Sequence, residues 1–189
     1  MASILKVDTI QDQSGNNIIN ENADTITIGA SGDTVTIPSG ATISNLGTAS
    51  GFGVNTPAFF ATQTTAQSIS NNTSVTLNFG TEAYDTDSAL TTTTFTVPTG
   101  KGGIYYFYAG FRLDTTVDAD RLNIAIKVGA TTISSGNFRQ EDENSAFTSG
   151  SANLSAGDAV TVEAFQTTAG SRNTKNLDAT FFGGFRLIQ

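Results

Sequence analysis

The stretch GGIYYFYAGFRL (102–113) packs three tyrosines and two phenylalanines into a chain otherwise rich in Thr, Ser, Gly, Asn and Ala. Side chains alternate along a strand, so the stretch splits by parity. Tyr105, Phe107, Ala109, Phe111 and Leu113 make one face, and Ile104, Tyr106, Tyr108, Gly110 and Arg112 make the other. Both faces are greasy. The final strand, TFFGGFRLI (180–188), behaves the same way, with Phe181, Gly183, Phe185 and Leu187 opposing Phe182, Gly184, Arg186 and Ile188. By contrast, RLNIAIKV (121–128) alternates Leu122, Ile124, Ile126 and Val128 with Asn123, Ala125 and Lys127, as a strand with one wet face does.

Further strand patterns, PAFFATQ, SVTLNF, TTFTVP and AVTVEAFQ, fall between Gly- and Asn-rich turns, and no segment carries a helical period. Many short strands at this spacing argue for an all-β, antiparallel β-sandwich. A sandwich buries only the inner face of each sheet, so the second aromatic face needs a cover of its own. Each large side chain left bare forgoes about 1.5–3 kcal/mol of burial. The economical cover is the same surface on another copy, arranged by symmetry. Phe60, Tyr106, Tyr108, Arg112, Phe182 and Arg186 are the candidate interface residues, the two arginines serving to meet carboxylates across it. A monomer whose own loops cover the face is the alternative.

Upstream, the chain divides into a segment 1–22, a repeat region 23–50, a linker 51–56 and the sandwich 57–189. In the first, QSGNN reads as a turn between strand candidates SILKVDT and NIIN. ADTITIGAS (23–31) and GDTVTIPSG (32–40) then align at a nine-residue period, and ATIS (41–44) begins a third copy. Ile26 and Ile28, like Val35 and Ile37, point to one side and the threonines to the other. So few units cannot bury an apolar edge alone, since a solenoid needs about three repeats. The reading is an oligomeric β stalk, with a Thr/Ser/Gly linker as the alternative.

Composition narrows the chemistry. The chain has 189 residues, a net charge of −8, and neither His nor Cys. The absence of both removes Ser-His-Asp and Cys-His catalysis and the usual zinc sites. No nucleotide-binding fingerprint is present, and no two carboxylates are placed on a common cleft, so the chain reads as a non-enzyme. A small glycan-cleaving spike is the remaining enzymatic option. The few basic residues are scattered singly, which disfavours nucleic acid. No apolar run is long enough to insert in a membrane, and MASILKVDTIQDQ does not read as a secretory signal. Two acidic loops offer hard oxygen ligands for calcium or for a ligand: Asp114, Asp118 and Asp120 in DTTVDAD, and Glu141, Asp142 and Glu143 in QEDEN. A solvated loop is the simpler reading of both. Asp158 is expected to cap a Gly-Asp turn. Asn71, Asn72 and the loop 137–144 are further candidates for surface recognition.

The pattern from 57 to 189 resembles the globular head of complement component 1q and its tumour-necrosis-factor-like relatives. An Ala-Phe-x-Ala strand is matched by Ala58, Phe59, Phe60 and Ala61, followed by Phe79, by Tyr84 and Asp85, and by Phe95 and Pro98. Gly103, Tyr105, Tyr106 and Phe107 match a Gly-x-Tyr-Tyr-Phe strand, and Leu154, Gly157, Asp158 and Val160 match a Leu-x-x-Gly-Asp-x-Val turn. The terminal Phe-x-Gly-Phe-x-Leu is met by Phe182, Gly184, Phe185 and Leu187. The glycine before the tyrosines is stretched into GKGGI, and no collagen Gly-x-y run precedes the head. The resemblance implies a ten-strand jelly roll assembled as a homotrimer through its Tyr-rich sheet. The N-terminal SILKVDTIQDQSGNNII with its Thr-Ile repeats is similar to leading segments of marine bacteriophage tail- and head-fibre proteins. That implies a virion protein made in the host cytoplasm. Its N-terminus would dock on other virion proteins, and its head would meet a host receptor or glycan or decorate the capsid. A secreted bacterial adhesin with the same head is the alternative.

Overall fold

A computed structural model describes residues 9–11, 13–15, 17–22, 25–29, 31–44, 46–47, 55–114, 119–140, 144–175 and 177–188, with backbone alone at 17, 18, 20–22, 119, 120, 139, 140, 177 and 178. The chain divides into two compact units, Met1–Gly51 and Phe52–Gln189.

In the first unit, β1 (Thr9–Gln11), β2 (Asn17–Asn22) and β3 (Thr25–Ile28) form an antiparallel sheet in the order β1-β2-β3. The turn expected at QSGNN joins β1 to β2, with Gly15 at φ 84° supplying the left-handed step that favours glycine. Residues 1–8, which hold most of SILKVDT, lie outside the described residues. The first nonapeptide supplies β3. The second does not form a strand: residues 33–38 and 41–44 belong to no described element.

The second unit carries β4 (Ala58–Gln63), β5 (Ser68–Ile69), β6 (Val75–Thr76), β7 (Thr81–Asp85), β8 (Thr94–Thr96), β9 (Gly103–Arg112), β10 (Ala119–Val128), β11 (Thr131–Gln140), β12 (Ser145–Leu154), β13 (Ala159–Gln166), β14 (Arg172–Asn173) and β15 (Leu177–Ile188). Ten of them make two antiparallel five-stranded sheets. One runs β12-β9-β15-β4-β7, the other β11-β10-β13-β6 with β8 also on β13, and β5 and β14 pair as a short ribbon. No helix occurs among the described residues. This is the all-β jelly-roll sandwich that the sequence predicts.

Its core follows from alternation. Tyr105, Phe107, Ala109 and Phe111 of β9 face Leu122, Ile124 and Ile126 of β10 and Val160, Val162 and Ala164 of β13, all buried. Phe59 joins the two layers, stacking on Phe95 at 4.7 Å and meeting Phe182 edge-on at 4.9 Å, geometries that aromatic pairs prefer. The Tyr105 hydroxyl donates to the Lys101 carbonyl at 2.6 Å, so its polar end is satisfied inside.

Two long strands, β11 and β12, are absent from the sequence-based strand set, because TTISSGNFRQ and SAFTSGSANL are poor in large apolar residues. Here the sandwich closes on itself, and small residues are what the closure requires. A Cβ on Gly136 would strike the Phe147 carbonyl oxygen, and one on Gly150 would lie 2.8 Å from the Ser134 Cβ. The Ser134 hydroxyl instead donates to the Ser149 carbonyl at 2.7 Å. At the far end, Gln63, buried on the inner side of β4, donates to Asn78 Oδ1 at 3.1 Å and accepts from the Thr174 hydroxyl.

Candidate functional site

The outer face of the β9-containing sheet is the candidate site, and strand register builds it. Residues directly opposite across antiparallel strands share a face. Tyr108 pairs Gly183, Gly183 pairs Phe60, and Phe60 pairs Tyr84. The neighbouring row holds Phe147, Gly110, Phe181 and Thr62, and the next holds Ser151, Tyr106, Phe185 and Ala58. These three rows contain no charged side chain, although the chain carries 9 basic and 17 acidic residues.

The seven rings form one connected sheet of aromatic contacts. Phe60 lies 6.2 Å from Tyr108, 6.1 Å from Phe181 and 6.4 Å from Tyr84. Tyr106 lies 5.8 Å from Phe185 and 6.4 Å from Tyr108, and Phe147 lies 6.3 Å from Phe181. Two glycines let the rings lie down. A Cβ on Gly110 would stand 2.8 Å from the Phe181 ring, and one on Gly183 would run into the Tyr108 ring. The rings thus flatten onto bare backbone beside them, the way an aromatic covers a strand glycine in a designed sheet.

Five of the rings are half-buried by this packing, while Tyr84 and Phe147 keep 50% and 48% of their surface exposed. Burial first, then a hydrogen bond with Tyr84, pushes the Tyr108 hydroxyl up from 10.0 to about 12. The Tyr108 phenol therefore stays neutral across the whole physiological range. The three rows of the face carry hydroxyls but no carboxylate, amine or imidazole to activate them. A surface depleted of charge and enriched in Tyr and Phe has the composition of an interface centre.

The structure corrects two of the candidate interface residues. Phe182 is fully buried in the core, and Arg186 is 5% exposed, on the inner side as well. Parity within β15 is inverted relative to the expectation, because Gly183 and not Phe182 pairs Tyr108. Arg186 Nη2 donates to the Gly102 carbonyl at 2.9 Å, at the end of the sandwich where Lys101 pairs Asp87 at 3.4 Å. Phe60, Tyr106 and Tyr108 do stand on the outer face, and Arg112 is exposed at the end of β9. The residues missing from the expectation are Phe181, Phe185, Phe147 and Tyr84. The sequence does not separate Phe181 and Phe185 from Phe182, because β15 carries rings on both sides and its register against β9 assigns them.

Of the candidate acidic residues in the two loops, only Asp114 has a described side chain. Asp114 is exposed, its N–H bonded to the Asn173 carbonyl at 3.0 Å. Asp118, Glu141, Asp142 and Glu143 lie outside the described residues, as does the side chain of Asp120. No described group of three His, Cys, Asp or Glu is placed to hold a metal ion. Asp158 caps its turn as expected, its Oδ2 accepting from the Ser155 N–H at 2.8 Å. Asn72 adopts a positive φ of 56°, its N–H bonded to the Gln166 carbonyl at 2.9 Å. The wet face of the other sheet carries Arg121 stacked 5.2 Å over Phe165 and the Lys127–Glu163 pair at 2.9 Å.

No known protein-family profile matches the chain. No curated protein matches it in sequence either. Solved structures do match in fold. The globular domain of zebrafish complement 1qA protein is 21% identical, with a TM-score of 0.52, covering 70% of this chain and 98% of that one. Murine APRIL is 15% identical with a TM-score of 0.52, covering 69% and 98%. Eiger TNF from S. frugiperda is 18% identical with a TM-score of 0.50, covering 70% and 92%. At these identities the likeness is one of fold, a jelly roll of the C1q and TNF type.

Proposed function

We propose that the chain is a non-enzymatic virion protein of a bacteriophage. It works as a homotrimeric fibre or spike whose jelly-roll head meets a receptor or glycan on the host surface or decorates the capsid. The observation that carries the trimer is the uncharged, seven-ring outer face. Contiguous apolar patches of that kind are rare on monomers. A C2 pairing would serve one such face, whereas the C1q- and TNF-type fold supports a threefold arrangement in which each copy buries its face against two others. The virion role rests on the N-terminal segment, with its resemblance to phage fibre proteins.

Gold-labelled antibody raised against the head and applied to purified virions tests the location. Labelling on head or tail of intact particles is the expected result. Particles that stay bare while the protein is recovered from the culture medium would overturn the virion role in favour of a secreted adhesin.

A further inference from the structure

The first unit leaves an apolar face open. In the three-stranded sheet Ile10 pairs Ile19 and Ile19 pairs Ile28, which lines three isoleucines across one face. Ile26 stands beside Ile28 on the same face by alternation. All four are exposed, Ile26 by 69% and Ile28 by 58%. Large apolar side chains lined up in this way mark a surface that another surface covers.

The second nonapeptide poses the complementary problem. GDTVTIPSG repeats the pattern of ADTITIGAS residue for residue, yet residues 34–37 pair with no strand among those described. Val35 is 59% exposed. Meanwhile β3 pairs only with β2, so its other edge carries no strand among the described residues. One part of the unit is an edge seeking a strand, and another is a strand of the same sequence type seeking an edge.

We propose that residues 34–37 of one chain add to the free edge of β3 in the next, head to tail around three copies. Val35 and Ile37 then extend the isoleucine stripe of the neighbour. This rests on the trimer reading above. A second copy is the fitting occupant for three reasons. The repeat gives both partners the same Thr-branched-Thr-Ile alternation, so apolar meets apolar and Thr meets Thr. Between 25 and 44 the only charged residue is Asp33, so like chains do not repel there. And Val35 and Ile37, 59% and 47% exposed, bring apolar surface of their own to an exposed isoleucine face, so the contact buries both. A heterologous contact repeated three times closes a ring and leaves no free edge.

The absence of native Cys makes the test clean. Four double variants of the full chain pair Thr25→Cys or Thr27→Cys with Thr34→Cys or Thr36→Cys, all on the threonine face so that the apolar seam is untouched. They are oxidised and run on a non-reducing gel, with the four single variants as controls. Head-to-tail addition gives covalent dimers and trimers in at least one double variant, unchanged on dilution, and no covalent trimer in any single variant. If the protein is a trimer by light scattering but every double variant stays a covalent monomer, strand addition is overturned and the head trimer stands. If light scattering gives monomer, the trimer reading itself has failed and the inference falls with it.

Discussion

Gly183 and Gly184 are adjacent, yet they serve opposite sides of β15, and single substitutions separate their roles. A methyl on Gly184 meets the Phe107 ring in the core and lies 3.0 Å from the Tyr106 carbonyl, where nothing can yield cheaply. Gly184→Ala is expected to cost about 1–3 kcal/mol of fold stability, read as a lowered Tm. A methyl on Gly183 meets the far end of the Tyr108 ring, which can swing outward. Gly183→Ala is therefore expected to keep the sandwich, by circular dichroism, while weakening self-association measured by sedimentation. Tyr108 also gives a pH signature. Its hydroxyl is raised from 10.0 to about 12, so the folded state favours the neutral phenol. That contribution is complete below pH 10 and is lost as the pH rises through about 12. The difference in Tm between wild type and Tyr108→Phe should be constant up to pH 10 and shrink between 10 and 12. A constant difference throughout would contradict the assignment. Tyr105→Phe removes the 2.6 Å bond to the Lys101 carbonyl and is expected to cost about 1–2 kcal/mol, read by denaturant unfolding.

At the scale of elements, the contact between β11 and β12 is more fragile than its polar sequence implies. Gly136→Ala drives a methyl into the backbone of β12 and should lower stability by about 2 kcal/mol or more. Lys127→Ala, by contrast, breaks a single partly buried pair on the outer side of its sheet, so a loss of about 1 kcal/mol is expected by the same unfolding measurement. How much of the fold was legible follows the same contrast. β4, β9, β10, β13 and β15 carry alternating large residues and stand out in the sequence. β11 and β12 do not, because close approach there selects Gly and Ser, which read as loop. The aromatic face was legible from one strand, β9, since its two parities are fixed by Tyr105 and Tyr106. It was not legible from β15, where Phe181, Phe182 and Phe185 put rings on both sides and only the register against β9 decides which face each joins. The second nonapeptide shows the opposite limit: its strand pattern is as good as the first, yet residues 33–38 belong to no described strand, because pairing and not pattern makes a strand.

For the whole molecule, the sandwich core and the outer aromatic face make separate demands. The core is satisfied within one chain, as Phe59, Phe95, Phe107 and Phe182 show by their complete burial. The outer face is not, and neither is the isoleucine face of the N-terminal unit. Two apolar surfaces left open on a chain of net charge −8 point to assembly as the condition under which this sequence is stable. Placing a carboxylate among the rings, as in Phe181→Asp, should dissociate the assembly without unfolding the sandwich, because Phe181 contributes nothing to the inner core. The most direct measurement is light scattering coupled to size exclusion on the full chain at micromolar concentration. The expected mass is three times the 19.6 kDa of the chain, falling to a single chain in Phe181→Asp with its β-sheet spectrum retained. A wild-type protein that elutes as a stable single chain, with its tyrosines in water, would contradict it.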